Sequence, residues 1–156
     1  MPCLLQRAGA NLVAVIAIGC IGVTSTAHAT ESLYARLGGK PVVDAIATET
    51  IDQVSADPRL NQSFHGSNLK RIKRLLSEQI CELAGGGCVY SGDSMREVHA
   101  GHHITEAQFY GLVQILRDSM RRHHVGLRER NELLALLAPM KRDIVEQAAP
   151  PHKAGS

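Results

Sequence analysis

The chain of 156 residues carries 17 lysines and arginines against 15 aspartates and glutamates, so its net charge is close to zero. It holds only three tyrosines, two phenylalanines and no tryptophan. This composition argues against a nucleic-acid-binding protein, which needs a basic surface and often aromatic platforms for stacking bases. The length suits one domain with a modest core.

Residues 1–29 are typical of a secretory signal peptide. A single Arg7 precedes an apolar stretch from Leu12 to Val23, and Ala27-His28-Ala29 forms a small-x-small cleavage signal. We therefore expect cleavage after Ala29 and a periplasmic or secreted protein. Two alternatives stay open: a retained membrane anchor, for which the apolar stretch is short, and a lipoprotein acylated at Cys20.

Residues 30–148 are predicted to form one all-α domain, because no segment alternates in the manner of a strand for long. Gly38-Gly39-Lys40-Pro41 predicts the start of a helix that ends before Asp57-Pro58. Either Ser67 or Asn68 is expected to cap the next helix, which Gly85-Gly86-Gly87 stops. A loop follows at residues 89–93.

Three more helices are predicted in the second half of the chain. A short one carries Met95, Val98 and His99. A long one begins at a capping box formed by Thr105 and Gln108, and the last runs from about Leu127 to Gln147 with a bend at Pro139. Residues 149–156 are expected to be a disordered tail.

His99 is the most informative single residue. It is a lone imidazole among apolar helical positions and is followed closely by a glycine. From the pattern alone, two interpretations stand: a core histidine bonded to a nearby carbonyl group, or an axial ligand to heme iron.

Cys81 and Cys88 remain after signal cleavage. In an oxidising compartment they can form a structural disulfide between the end of a helix and the following loop. The alternative is a redox-active or metal-binding pair, although their spacing matches neither C-x-x-C nor a common zinc arrangement.

Several ordered motifs give the chain a resemblance to a known family, group 1 of the truncated hemoglobins. The resemblance extends from Leu33 to about Glu146 and depends on the order and spacing of its motifs. These are Leu33 to Gly39, Ala56 to Leu60, Phe64-His65-Gly66, Gly85-Gly86 with Tyr90-Ser91-Gly92, and Met95 through His99 to Phe109.

The resemblance implies a two-over-two helical sandwich around heme b. It places His99 at the proximal iron ligand and Phe64 against the porphyrin ring. The other implied heme contacts are apolar: Leu69, Ile72, Leu76, Ile80, Met95, Val98, Ile104 and Phe109. Arg71, Tyr90 and His102 are the candidate partners of the heme propionates.

The distal side departs from the family pattern. Thr50-Ile51 stands where the family often has Phe-Tyr, and Ile72 and Leu76 face the ligand position. The distal wall is therefore expected to be apolar unless Thr50 or Gln79 turns inward. Without a strong donor, dioxygen should dissociate faster, which shifts discrimination toward carbon monoxide and nitric oxide.

The predicted function is an exported heme b protein that binds O2, NO or CO at five-coordinate iron. An enzymatic role, such as nitric oxide dioxygenation or peroxidase activity, would need an external electron donor, since no flavin or nicotinamide motif is present. The alternatives are a heme-free helical interaction module held by the disulfide, a thiol redox carrier, and a zinc site at His99, His102 and His103.

Overall fold

The computed structural model describes residues 31–146, and within this range the chain is helical and contains no strand. The predicted signal peptide, its Cys20 and the tail at 149–156 lie outside the described residues. None of the helices in this range combines the length and apolar character needed to cross a membrane. The helices are α1 (Leu33–Arg36), α2 (Gly39–Ala56), α3 (Leu69–Leu83), α4 (Met95–His99), α5 (Glu106–Arg122), α6 (Leu127–Leu137) and α7 (Lys141–Ile144).

The long helices form two packed pairs. Helix α2 lies against α3, and α5 lies against α6, while α2 also contacts α5 and α3 contacts α6. This is the two-over-two arrangement that the resemblance implies. The main core lies between the pairs and consists of Leu33, Leu37, Val43, Ile46, Ile80, Ala84, Leu116, Met120, Val125 and Leu133.

This core occupies only one end of the sandwich. In α2 it includes Val43 and Ile46 near the start of the helix, whereas Ile51 and Val54 are buried but lie outside that cluster. Helix α2 therefore also carries buried side chains outside the main core, among them the predicted distal residues Thr50 and Ile51.

The predicted helix starts are confirmed. Helix α2 begins at Gly39, with Pro41 in its first turn, where a proline costs no helical hydrogen bond. Asn68, rather than Ser67, caps α3, since its side chain accepts a bond from the Arg71 amide. Thr105 and Gln108 form the predicted capping box of α5.

The prediction of one bent helix from Leu127 to Gln147 is wrong. Helix α6 ends at Leu137, a 3-10 turn spans Ala138–Met140, and α7 ends at Ile144. Pro139 lacks the amide that would continue the ladder and crowds the preceding turn, so the chain breaks here instead of bending. Two short elements were not predicted, namely α1 and a 3-10 helix over Asn61–Phe64.

Candidate functional site

Most of the side chains that are predicted to contact heme are buried to a similar extent. Eight apolar side chains are half-buried, neither sealed in the core nor open to solvent: Phe64, Leu69, Ile72, Leu76, Met95, Val98, Ile104 and Phe109. They come from the 3-10 helix at Asn61–Phe64, from α3, α4 and α5, and from the segment between α4 and α5. Apolar side chains that the protein itself covers only in part are typical of a ligand-binding surface. Ile80 differs from them, because it is 1% exposed and belongs to the main core.

His99 lies at the end of α4 and is oriented by its own helix. Its ring Nδ1 lies 2.7 Å from the carbonyl oxygen of Met95, so Nδ1–H donates this bond and the lone pair stays on Nε2. Nε2 has no hydrogen-bond partner among residues 31–146. A metal-binding histidine is commonly oriented in this way by a bond from its other ring nitrogen to a carbonyl group.

The surroundings of His99 favour the neutral form of its imidazole. Burial lowers the pKa of His99 below 6.5, the bond to Met95 works against this shift, and the charge of His102 adds to it. A neutral imidazole is the form that coordinates a metal. Two properties of His99, its tautomer and its protonation state, therefore fit the role of an iron ligand.

Helix α4 begins at a capping box, which is not among the helix starts predicted from the sequence. Ser94 caps it by accepting a bond from the Glu97 amide, and the Glu97 carboxylate accepts one from the Ser94 amide at 3.0 Å. The S-x-x-E pattern from Ser94 to Glu97 would have revealed this capping box. It fixes the beginning of a helix that is only five residues long.

The distal residues divide into apolar and polar positions. Ile51 is 2% exposed, and Thr50 is fully buried with a hydroxyl group that has no hydrogen-bond partner within residues 31–146. Gln79 donates its amide to the sulfur of Met140 at 3.5 Å, a weak hydrogen bond that accounts for its observed orientation. Of the two polar side chains considered for this wall, only Thr50 has no hydrogen-bond partner among the described residues.

The propionate candidates lie in two places. Arg71 is exposed near the start of α3, and its positive charge acts on the half-buried Tyr90, so these two residues are neighbours. Burial raises the pKa of Tyr90, the charge of Arg71 opposes that shift, and Asp93 and Glu78 add to it. His102 is exposed beside His99 and donates its backbone amide to the His99 carbonyl at 3.2 Å.

Cys81 and Cys88 are brought into bonding contact, with their Cα atoms 5.7 Å apart. Cys81 is buried at the end of α3, and Gly86 in the intervening turn packs against its sulfur and the Tyr34 ring. A Cβ atom at Gly86 would lie 2.5 Å from the Cys81 sulfur, so only glycine fits there. The loop is therefore built around this pair of cysteines.

The alternative of a zinc site finds no support. No group of three or more His, Cys, Asp or Glu side chains in the described part of the chain is placed to hold a metal ion. His99 is half-buried and points its free nitrogen away from its own helix carbonyl, while His102 and His103 are exposed.

The donor chemistry and the surface around it fit heme. A single neutral imidazole with a free nitrogen matches an axial ligand, and the half-buried apolar side chains match a large flat apolar group. Arg71, Tyr90 and His102 add polar groups of the kind that bind carboxylates.

Comparison with known proteins agrees with this fit. The sequence model of the bacterial-like globin family matches residues 32–146. The group 1 truncated hemoglobin GlbN of Mycolicibacterium paratuberculosis is 30% identical over 113 residues, which cover 72% of this chain and 83% of that protein. A group 1 truncated hemoglobin of Chlamydomonas moewusii is 29% identical, with coverage of 73% and 68%.

Solved structures share the fold. The truncated hemoglobin of Tetrahymena pyriformis, in its Fe(III) form, superposes with a TM-score of 0.71 at 21% identity and covers 75% of this chain and 100% of its own. The 2/2 hemoglobin of a Synechococcus species, in the cyanomet state and with covalently attached heme, gives 0.69 at 23% identity, with coverage of 75% and 100%. The chain therefore belongs to the bacterial-like globins and, within them, to the group 1 truncated hemoglobins, whose cofactor is heme.

Proposed function

We propose that this protein is an exported, five-coordinate heme b globin that binds a diatomic gas in a pocket with little capacity for hydrogen bonding. The observation that carries the proposal is His99, whose Nδ1–H is held by the Met95 carbonyl so that Nε2 is the coordinating atom. When heme is bound, its iron supplies the position at which the gas coordinates.

The residues of the distal wall support the five-coordinate state. Ile72, Leu75 and Leu76 of α3 carry no atom that coordinates iron well, so this helix offers no internal competitor for the gas. The half-buried apolar side chains of α3, α4 and α5 would hold heme by apolar contact and would shield it from water.

The weak hydrogen-bonding capacity follows from two neighbouring residues. Ile51 contributes only methyl and methylene groups, and Thr50 contributes one hydroxyl without a partner. Dioxygen gains more from a donor than carbon monoxide does, because it draws electron density from the iron and becomes partly negative. We therefore propose that Thr50 is the one distal donor and that the protein favours carbon monoxide and nitric oxide over dioxygen.

Export is proposed from the sequence of residues 1–29, and the two cysteines agree with it. Cys81 and Cys88 lie in bonding contact, an arrangement that persists in oxidising compartments. In the cytosol the same pair would be kept reduced.

Gas kinetics on the heme-reconstituted protein test this proposal. We expect a dioxygen dissociation rate that exceeds that of a globin with a distal tyrosine, together with an ordinary carbon monoxide dissociation rate. Slow dioxygen dissociation would contradict it. A second assay adds nitric oxide to the oxygenated protein, with and without an external reductant. Repeated consumption would identify a dioxygenase, and a single stoichiometric reaction would identify a gas-binding protein.

A further inference from the structure

Helix α4 depends on the C-terminal end of the described chain. It is a helix of five residues, too short to be stable without tertiary contacts. Of the helices in residues 31–146, α7 is the one against which α4 packs extensively. The side chain of Arg96 on α4 also pairs with Asp143 of α7, with Nη2 2.5 Å from Oδ1.

The segment directly after His99 is held by one residue, Glu146. The Gly101 amide donates to Oε1 of Glu146 at 2.6 Å, and Nδ1 of His103 lies 2.8 Å from Oε2. The Glu146 amide in turn donates to the carbonyl oxygen of Ile104 at 3.0 Å. We call these three bonds the C-terminal latch.

The latch spans a turn in which one non-glycine residue, His103, adopts an uncommon backbone conformation. Gly101 has a φ of 77° and His103 a φ of 51°, so two of three consecutive residues adopt left-handed conformations. A residue with a side chain rarely takes this conformation unless its surroundings impose it. Both carboxylate oxygens of Glu146 are used within this turn, which explains how the conformation is kept.

We propose that Glu146 is a positioning residue for His99. By fixing residues 101–104 it prevents the end of α4 from fraying, and so it sets the direction in which the His99 imidazole presents Nε2. This inference rests on the proposed role of His99 as the iron ligand. Glu146 itself does not contact the imidazole; it acts through the turn that follows the helix.

Three variants of the protein test the latch. Glu146→Ala removes both acceptor oxygens, and Glu146→Gln keeps the acceptor for the Gly101 amide. Glu106→Ala is the matched control, because Glu106 pairs with Lys141 of α7 at 2.5 Å, while its carboxylate group has no hydrogen bond or ion pair to residues 101–104. Each variant changes one exposed or partly exposed carboxylate group that links the C-terminal part of the described chain to residues 101–106.

The first measurement is amide hydrogen exchange of the heme-free protein. We expect the Gly101 amide to exchange about tenfold faster in Glu146→Ala than in the wild type. It should stay protected in Glu146→Gln and Glu106→Ala. Equal exchange in the wild type and Glu146→Ala would overturn the proposal.

The second measurement is the iron–histidine stretching band of the ferrous heme-loaded protein, recorded by resonance Raman spectroscopy. We expect a shifted or broadened band in Glu146→Ala, a return toward the wild-type band in Glu146→Gln, and no change in Glu106→Ala. An unchanged band in a variant whose Gly101 amide has lost its protection would overturn the positioning role. If the wild-type protein takes up no heme, the proposed function fails, and altered exchange alone would then assign the latch a purely structural role.

Discussion

Thr50 and Ile51 are neighbours on α2 and are both buried, yet only Thr50 brings a polar atom into this region, and its hydroxyl has no hydrogen-bond partner among the described residues. A buried hydroxyl group without a hydrogen-bond partner lowers the stability of the folded protein, so its presence calls for an explanation. Under the proposed function, this pair would offer a bound gas one weak donor and one aliphatic side chain.

Replacing Ile51 with tyrosine should restore a strong distal donor. A hydrogen bond to bound dioxygen is worth about 1–3 kcal/mol, so we expect dioxygen to dissociate roughly 5- to 150-fold more slowly from Ile51→Tyr. Carbon monoxide dissociation should change much less. Stopped-flow ligand replacement measures both rates. An unchanged dioxygen rate would show that position 51 does not face the gas.

Replacing Thr50 with valine should have two opposite effects, because valine has the same shape without the hydroxyl. The heme-free protein should become more stable by roughly 1 kcal/mol, since an unpaired buried hydroxyl is removed. The heme-loaded protein should release dioxygen a few-fold faster, since a donor is lost. Chemical denaturation and ligand replacement measure the two effects. A Thr50→Val protein that is less stable would mean that the hydroxyl is bonded within the protein and is not a donor to the gas.

The Cys81–Cys88 pair should stabilise the fold through the short loop it closes. Loop-closure entropy predicts that the free energy of unfolding falls by about 2–3 kcal/mol in a Cys81→Ser, Cys88→Ser double variant. Thermal unfolding with and without a reductant provides the control, because reduction should destabilise the wild type and leave the variant unchanged. A wild type that is insensitive to reductant would indicate that the two thiols are not linked.

Asp57 should contribute stability that depends on pH. Bonds from the Arg59 side chain and the Arg59 amide lower the pKa of Asp57 from 3.8 to about 2. Because the folded-state pKa lies below the unfolded one, this contribution is present above about pH 4 and is lost as the pH falls toward 2. Asp57→Asn should therefore be less stable than the wild type at neutral pH, by a difference that shrinks across this window. Denaturation curves at several pH values measure it, and a difference that persists at pH 2 would contradict the assignment.

Much of the fold was predictable because its signals are local. Gly38-Gly39, Pro41, Asn68 and the Thr105 capping box each act within one turn of chain, so the sequence alone locates the helix starts. The break near Pro139 was predicted at the correct position, but as a bend within a helix and not as the end of one. Whether a proline bends or ends a helix depends on what the following residues contact, and here they contact α4.

The candidate site was predictable only in part, because some of its contacts join residues that are far apart in the chain. The resemblance identified His99 and its apolar neighbours, and the structure adds the Met95 bond that fixes the histidine tautomer. Ile80 follows the same helical spacing as Leu76 but is buried in the main core. Glu146 gave no signal, because its three bonds join residues more than forty positions apart in the chain.

One absorbance spectrum tests whether His99 coordinates the heme iron. The protein is loaded with heme, reduced and exposed to carbon monoxide, beside a His99→Ala variant and, as a control, a His124→Ala variant that replaces an exposed histidine outside the candidate site. We predict a sharp carbon monoxide Soret band in the wild type and in His124→Ala, and its loss or a marked change in His99→Ala. A band that survives unchanged in His99→Ala, or a wild-type protein that leaves heme free in solution, would contradict the coordination of heme by His99.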